Sequence, residues 1–284
     1  MRRITHVRLP LTADMDGHSQ PWWLQVDQQD RIIDLGLMPE GSAIAGENWC
    51  GDVLSPMGID LQINGGLGLP FPELTEAELP QLLQLLDQLW RDGVEAISPT
   101  VVTCGIEPLR RALAVLKEAR SAHQPYRCQL LGAHLEGPFL ADARRGAHPR
   151  QHLARPTMGE LKARINGFEN EIALVTLAPE LDGAAPLIEH LCGLGIRVAL
   201  GHSTADASTA NAAFERGVTM LTHSFNAMPG LHHRKPGPIG AACQRDDIAL
   251  GLIADGVHVD PTMAVLLQRL AGDQLVLVSD ALAP

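Results

Sequence analysis

Short runs of nearly continuous apolar residues recur along the chain: MGIDLQI (57–63), AISPTVV (96–102), QLLGAHL (129–135), IALVTLA (172–178), RVALGHS (197–203), MLTHSFN (220–226), IALGLIA (248–254) and LVLVSDA (275–281). Strands buried on both faces need this pattern. Between several of them the apolar period lengthens to that of a helix. LPQLLQLLDQLWRDG (79–93) carries leucines at helical spacing, a stripe made for core packing. PLRRALAVLKEAR (108–120) opens on Pro108, suited to a first turn. TMGELKARI (157–165) has Thr157 three residues before Glu160, a capping-box pattern. DPTMAVLLQRLAG (260–272) opens with Asp260 and Pro261, an N-cap and N1 pair. Eight such strands with intervening helices predict a (β/α)₈ barrel over residues 53–284. The competing arrangement is an open doubly wound sheet. That sheet would show a glycine-rich phosphate turn leading into a helix; INGGLG (63–68) is glycine-rich, but no helix start follows it.

The texture of residues 1–52 is different. ITHVRLPL (4–11), WWLQVD (22–27) and RIIDLG (31–36) are short extended pieces separated by turn residues, which predicts a small β element ahead of the barrel.

Composition narrows the function. The chain has 284 residues, 45% of them hydrophobic, and 22 basic against 33 acidic residues for a formal charge of -11. A nucleic-acid partner would call for a basic face and is not expected. No run approaches the ~20 apolar residues of a membrane span. The start, MRRITHVRLPLTADMDGH, lacks the apolar block of a signal peptide. Cys50, Cys104, Cys128, Cys192 and Cys243 are scattered and form no CxxC pair, as reduced thiols of a cytoplasmic protein would be.

Barrel chemistry sits where strands end. The first run ends in Gln62 and Asn64, the third in His134 and Glu136, the fifth in His202 and the sixth in His223 and Asn226. Asp255 and His258 follow the seventh run, and Asp280 the eighth. A carboxylate with two imidazoles suits one divalent ion such as zinc and leaves room for a water. The plainer alternative is a buried ion-pair partner among core histidines. Beside such an ion Asp280 could exchange a proton with the activated water; otherwise it merely caps a following helix, DALAP.

GIDLQINGG, HLEGPF, GHSTAD, THSFNAMPGLHHRKPGPIG, IADGVHVDP and LVSDA, in that order from Gly58 onward, resemble the signature segments of N-acetylglucosamine-6-phosphate deacetylases of the amidohydrolase superfamily. The resemblance implies a metal-dependent barrel with a small β-sandwich built from both chain ends. It implies Glu136, His202 and His223 as ligands of one divalent ion, zinc, and Asp280 as catalytic acid/base. It places His148, in RRGAHPR, at the acetyl carbonyl. Ala147, Asn226 and the backbone of Ala227 become substrate contacts. Arg234 and His258 complete a phosphate site, the arginine reaching it from the neighbouring subunit of a homodimer. Many amidohydrolases carry HxH where this chain has Gln62 and Asn64, so it resembles the single-metal branch; amides are poor zinc ligands beside imidazole.

The reaction so implied is hydrolysis of N-acetylglucosamine 6-phosphate to glucosamine 6-phosphate and acetate in the cytoplasm. The rivals are another amidohydrolase activity on a different N-acyl or cyclic amide, and an inactive barrel that binds a sugar phosphate. Without the resemblance, HHRKPG around Arg234 reads as a solvated basic loop. Four residues after Asp280 leave no room for an eighth helix or a returning strand. A C-terminally shortened form is therefore expected, with the last helix missing, the β-sandwich incomplete and Asp280 near a weakly anchored end.

Overall fold

The computed structural model describes residues 1–10, 20–41 and 44–283. Leu11 of the first extended piece and Pro284 fall outside them. The chain divides into two compact units, Met1–Met57 and Gly58–Pro284.

The first unit is one four-stranded sheet. It contains β1 (Arg2–Val7), β2 (Trp22–Val26), β3 (Ile32–Leu37) and β4 (Glu47–Asn48), in the order β3-β2-β1-β4. β1–β2 and β2–β3 are antiparallel, and β4 lies parallel to β1. Ile4, Val7, Leu24 and Val26 form its small core. The N-terminal strands thus pair with one another, as the small β element expected there. β3 remains an edge with Ile32, Ile33, Leu35 and Leu37 exposed.

The second unit is the barrel. Its strands are β5 (Gly58–Ile63), β8 (Val94–Val102), β10 (Ala133–Glu136), β11 (Ile172–Leu177), β12 (Arg197–Leu200), β13 (Val218–Leu221), β14 (Ala249–Leu252) and β15 (Leu275–Leu277), hydrogen-bonded in chain order. All these neighbours are parallel. A parallel bridge from Ile63 to Ala281 brings the eighth strand back to the first. The run QLLGAHL splits into β9 (Gln129–Leu130) and β10, both paired to β8, because Gly132 between them turns to φ +132°. A short hairpin, β6 (Gly65–Gly66) with β7 (Leu69–Pro70), occupies the glycine-rich INGGLG.

Among the described residues seven α-helices alternate with the barrel strands: α1 (Leu79–Arg91), α2 (Ile106–Ser121), α3 (Met158–Ile165), α4 (Ala184–Gly193), α5 (Ala207–Glu215), α6 (Gly237–Ala242) and α7 (Pro261–Ala271). α1 buries Leu82, Leu85 and Leu86, the predicted stripe. Asp260 caps α7 by accepting from Thr262 N–H at 2.8 Å. The capping box of α3 is only half formed. Thr157 accepts from Glu160 N–H at 3.2 Å, but the Glu160 carboxylate turns to Arg164 one turn on. The complete box lies at Thr75 and Glu78, ahead of α1.

The barrel interior is layered because alternate residues of a strand share a face. At the base Leu174, Ala199 and Met220 meet Leu61 and Ala249. Above them His134 bonds Thr100 at 3.1 Å and Thr176 at 2.8 Å, and Thr176 bonds Thr222 at 2.7 Å. Burial pushes the His134 imidazole down to about 4, so it is neutral at pH 7. Gly201 makes the layer possible: a Cβ there would stand 2.7 Å from both Thr176 and Thr222. The intervening residues, such as Leu135 and Val175, pack outward against the helices.

Candidate active site

Glu136 is the last residue of β10, two positions above His134, so it points into the barrel one layer higher. His202 and His223 lie two residues beyond β12 and β13, in left-handed backbone at φ +48° and +30°. Asp280 is likewise left-handed, at φ +49°. Few non-glycine residues hold this conformation, and such outliers concentrate at functional sites.

Three donor atoms converge. Glu136 Oε1 lies 3.2 Å from His202 Nε2 and 3.1 Å from His223 Nε2, and the two nitrogens are 3.1 Å apart. A tetrahedral ion with bonds of ~2.0–2.2 Å would hold its ligand atoms about 3.3–3.6 Å apart. One hard oxygen and two imidazole nitrogens, already nearly at that spacing, fit a divalent ion. Glu136, His148 and His202 also lie close enough for their ligand atoms to fall within 4.8 Å of one another. His148, however, approaches the other carboxylate oxygen, Oε2, at 3.6 Å. His223 Nε2 thus shares Glu136 Oε1 with His202, while His148 faces the other oxygen.

The surrounding hydrogen bonds orient the imidazoles. His202 Nδ1 donates to Arg144 O at 2.8 Å, which turns Nε2 toward Glu136. His148 Nδ1 meets Thr103 Oγ1 at 2.8 Å and Thr103 N–H at 3.3 Å, which turns Nε2 toward the cluster. Thr103 Oγ1 also holds Glu136 O at 3.1 Å. Burial pushes the Glu136 carboxyl up, but hydrogen bonds from His148, His202 and His223 outweigh it and hold the group well below its usual range. His223 shows the reverse balance. Burial pulls its pKa down, and the bond to Glu136 with the charges of Glu136 and Asp280 raises it overall.

Gln62 and Asn64 tie Asp280 to this cluster. Gln62 Nε2 donates to both Glu136 Oε1 and Asp280 Oδ1, each at 3.0 Å. Asn64 Nδ2 donates to Asp280 Oδ1 at 2.7 Å and to Asp280 O at 3.2 Å. The backbone continues the clamp, with Asp280 N–H on Gln62 O and Asn64 N–H on Ala281 O, both 2.8 Å. Expected beside a weakly held end, Asp280 is instead fastened by four hydrogen bonds to Gln62 and Asn64, with a fifth through Ala281. Burial and the Glu136 charge raise its pKa against the opposing Asn64 bond. A carboxylate shifted upward is better matched to proton exchange near neutral pH.

The remaining candidates stand apart. Ala227 O accepts from Ser203 N–H at 3.1 Å, so Ala227 is tied to the turn beside His202; Asn226 is half-buried next to it. Ala147, Arg234 and His258 are exposed. Among the described residues no hydrogen bond or ion pair joins them to the cluster. His258 is held by Asp255, which also accepts from the N–H groups of Val257 and His258. These backbone and side-chain bonds from His258 pull the Asp255 carboxyl down to about 2. Asp255 therefore builds the turn that presents His258.

Two supporting residues follow strands whose ends had offered no polar candidate. Thr103 comes one residue after the second run. Glu180 comes two residues after the fourth and accepts from Ser203 Oγ at 2.6 Å and from Thr204 N–H and Oγ1, fixing the turn after His202. Reading each strand end two residues further would have found both.

No protein-family model matches the chain. It is 38% identical to the N-acetylglucosamine-6-phosphate deacetylase of Bos taurus over 239 residues, 81% of this chain and 58% of the relative. It is 36% identical to the N-acetylgalactosamine-6-phosphate deacetylase of Escherichia coli O157:H7 over 232 residues, 81% of this chain and 60% of that one. Its structure is similar to that of a Mycobacterium smegmatis N-acetyl-D-glucosamine-6-phosphate deacetylase mutant in complex with N-acetyl-D-glucosamine-6-phosphate. The TM-score is 0.82 and the identity 31%, covering 99% of this chain and 71% of the other. This chain belongs to the N-acetylglucosamine-6-phosphate deacetylase family. It spans about 58% of the length of the Bos taurus deacetylase. Within that family assignment the barrel, the buried Glu–His–His triangle and the Asp280 clamp all lie in Gly58–Pro284. Among the described residues no helix is long and apolar enough to cross a membrane.

Proposed function

We propose that this deacetylase-family chain hydrolyses the acetamide of N-acetylglucosamine 6-phosphate, releasing glucosamine 6-phosphate and acetate. The observation that carries the reading is the triangle of Glu136 Oε1, His202 Nε2 and His223 Nε2, linked through Gln62 to the Asp280 carboxylate beyond the eighth strand.

Glu136, His202 and His223 would hold one divalent ion, zinc. When bound, such an ion supplies Lewis acidity: it lowers the pKa of a water in the site and draws charge from the scissile carbonyl. Asp280 takes the proton from the attacking water and returns it to the departing amine, and Gln62 and Asn64 keep it aimed. His148 donates from Nε2 to the oxygen on which negative charge develops. With Gln62 and Asn64 both spent on Asp280, the first strand offers no imidazole for a second ion.

Asn226, the backbone of Ala227 and the segment at Ala147 contact the sugar. His258 and Arg234 take the phosphate, Arg234 reaching a neighbouring subunit's site in a homodimer. The phosphate explains why a basic loop is retained on an acidic protein. The thiols are free, which suits a cytoplasmic enzyme.

The test is acetate release from N-acetylglucosamine 6-phosphate by the purified chain, with zinc, with a chelator, and with the galactosamine epimer. Release that needs the ion and favours the gluco epimer is expected. Equal turnover of both epimers would broaden the substrate, and no release with the ion bound would overturn the reading.

A further inference from the structure

Consecutive barrel strands pair over two to four residues each. The junction between the eighth strand and the first is thinner. Among the described residues its ladder is the single bridge from Ile63 to Ala281. Asp280 lies at this junction, so its placement depends on what else spans it.

Two side chains do so. Asp60, the one charged residue of GIDLQI, accepts through Oδ1 from Gln62 N–H at 3.1 Å and from Ser279 N–H at 3.2 Å. Ser279 Oγ donates to Gln62 O at 3.3 Å and accepts from Ala281 N–H at 3.1 Å. Among the described residues neither side chain bonds Glu136, His202, His223 or the Asp280 carboxylate. The strand register explains why Asp60 takes this place. Asp60 lies opposite Ile97 and Ile63 opposite Pro99, so three steps along β5 face two along β8. The extra residue bulges β5, and Pro99 has no N–H to give. Thr100 Oγ1 takes Ile63 N–H at 3.1 Å, and Gln62 N–H turns to the carboxylate two residues back.

We propose that Asp60 and Ser279 are positioning residues for the deacetylation, setting Asp280 by holding the first strand against the chain beyond the eighth. This role presupposes that Asp280 exchanges the proton. One Asp60 oxygen fixes the backbone of both segments that decide where Asp280 stands. Gln62 carries the amide that bonds the Asp280 carboxylate, and Ser279 directly precedes Asp280. An ionised acceptor holds two N–H groups more firmly than a neutral one would. Glu136, His202 and His223 belong to the third, fifth and sixth strands and do not depend on this junction. Opening it would move the proton-exchanging group and leave the triangle in place, and catalytic groups tolerate displacements of only about 0.5 Å.

The test compares Asp60→Ala, Asp60→Asn and Ser279→Ala in the 284-residue chain by acetate-release kinetics, ion content and amide hydrogen exchange over residues 278–283. Asp60→Ala should lose about 10–100-fold in kcat with KM within about twofold and ion content unchanged. The Ser279 and Asp280 amides should exchange about tenfold faster or more. Asp60→Asn, which keeps an acceptor oxygen, should recover most of both, and Ser279→Ala should show a smaller loss in the same direction. Unchanged exchange in Asp60→Ala would overturn the proposal. So would loss of the ion in step with kcat, or Asp60→Asn being as poor as Asp60→Ala. If Asp60→Ala does not melt cooperatively, Ser279→Ala decides, since its side chain is on the surface: unchanged kcat and exchange would then overturn the proposal. Exchange needs no turnover. If the unaltered chain releases no acetate, the proposed reaction falls, while exchange still decides whether Asp60 clamps the junction.

Discussion

The barrel mouth contains two kinds of polar residue. Glu136, His202, His223, Gln62 and Asn64 are buried and share partners, so that Glu136 Oε1 alone meets both imidazoles and an amide. Arg234 and His258 are exposed, on loops, and linked to none of these among the described residues. The buried set is a coupled network in low dielectric, where each member fixes the protonation and aim of the next. The outer set acts singly and in water. Mutations in the first should therefore be non-additive, and mutations in the second should nearly add.

The largest expected effect tests that coupling. Glu136→Gln and His202→Ala should each abolish tight divalent-ion binding, with turnover falling to background. The double variant should be no worse than the poorer single one. Elemental analysis with acetate-release kinetics checks this; losses that multiply would mean the two side chains act independently.

Asp280→Asn should retain the ion and the fold but lose about 10²–10⁴-fold in turnover, the usual contribution of an acid/base group. Ion content measured beside kcat separates this from loss of the site. Glu180→Ala should loosen the turn after His202 and lower ion affinity on the order of 10–100-fold, as removal of supporting groups commonly does. Competition with a chromogenic chelator reads it, and unchanged affinity would leave Glu180 a purely local brace.

On the outer side, Arg234→Ala should weaken turnover of the phosphorylated sugar by about tenfold or more and leave an unphosphorylated analogue unaffected. Equal effects on both would make the arginine structural.

The smallest effect concerns Asp255. Its folded pKa of about 2 lies below the ordinary 3.8, so it contributes stability above roughly pH 4 that is lost as pH falls through about 2. Asp255→Asn should flatten that acid limb in melting temperature against pH and change little at pH 7.

The sequence determined the barrel and the chemistry of its rim. Period alone separates a strand buried on both faces from a helix with one apolar face, and both signals are local. The same strand-end survey brought Glu136, His202, His223 and Asp280 onto one list, because parallel barrel strands all finish at one face. Local reading failed where two signals competed. Glu160 stood correctly for a capping box, yet its carboxylate went to Arg164, a charged partner one turn away, and only half of the box formed.

Tertiary structure decided everything that needs two strands at once. That Gln62 and Asn64 hold Asp280 depends on the bridge between Ile63 and Ala281, contacts more than two hundred residues apart that no local pattern encodes. Which imidazoles face which carboxylate oxygen and the upward shift of Asp280 follow from burial and distance. Those quantities exist only once the strands have closed on one another.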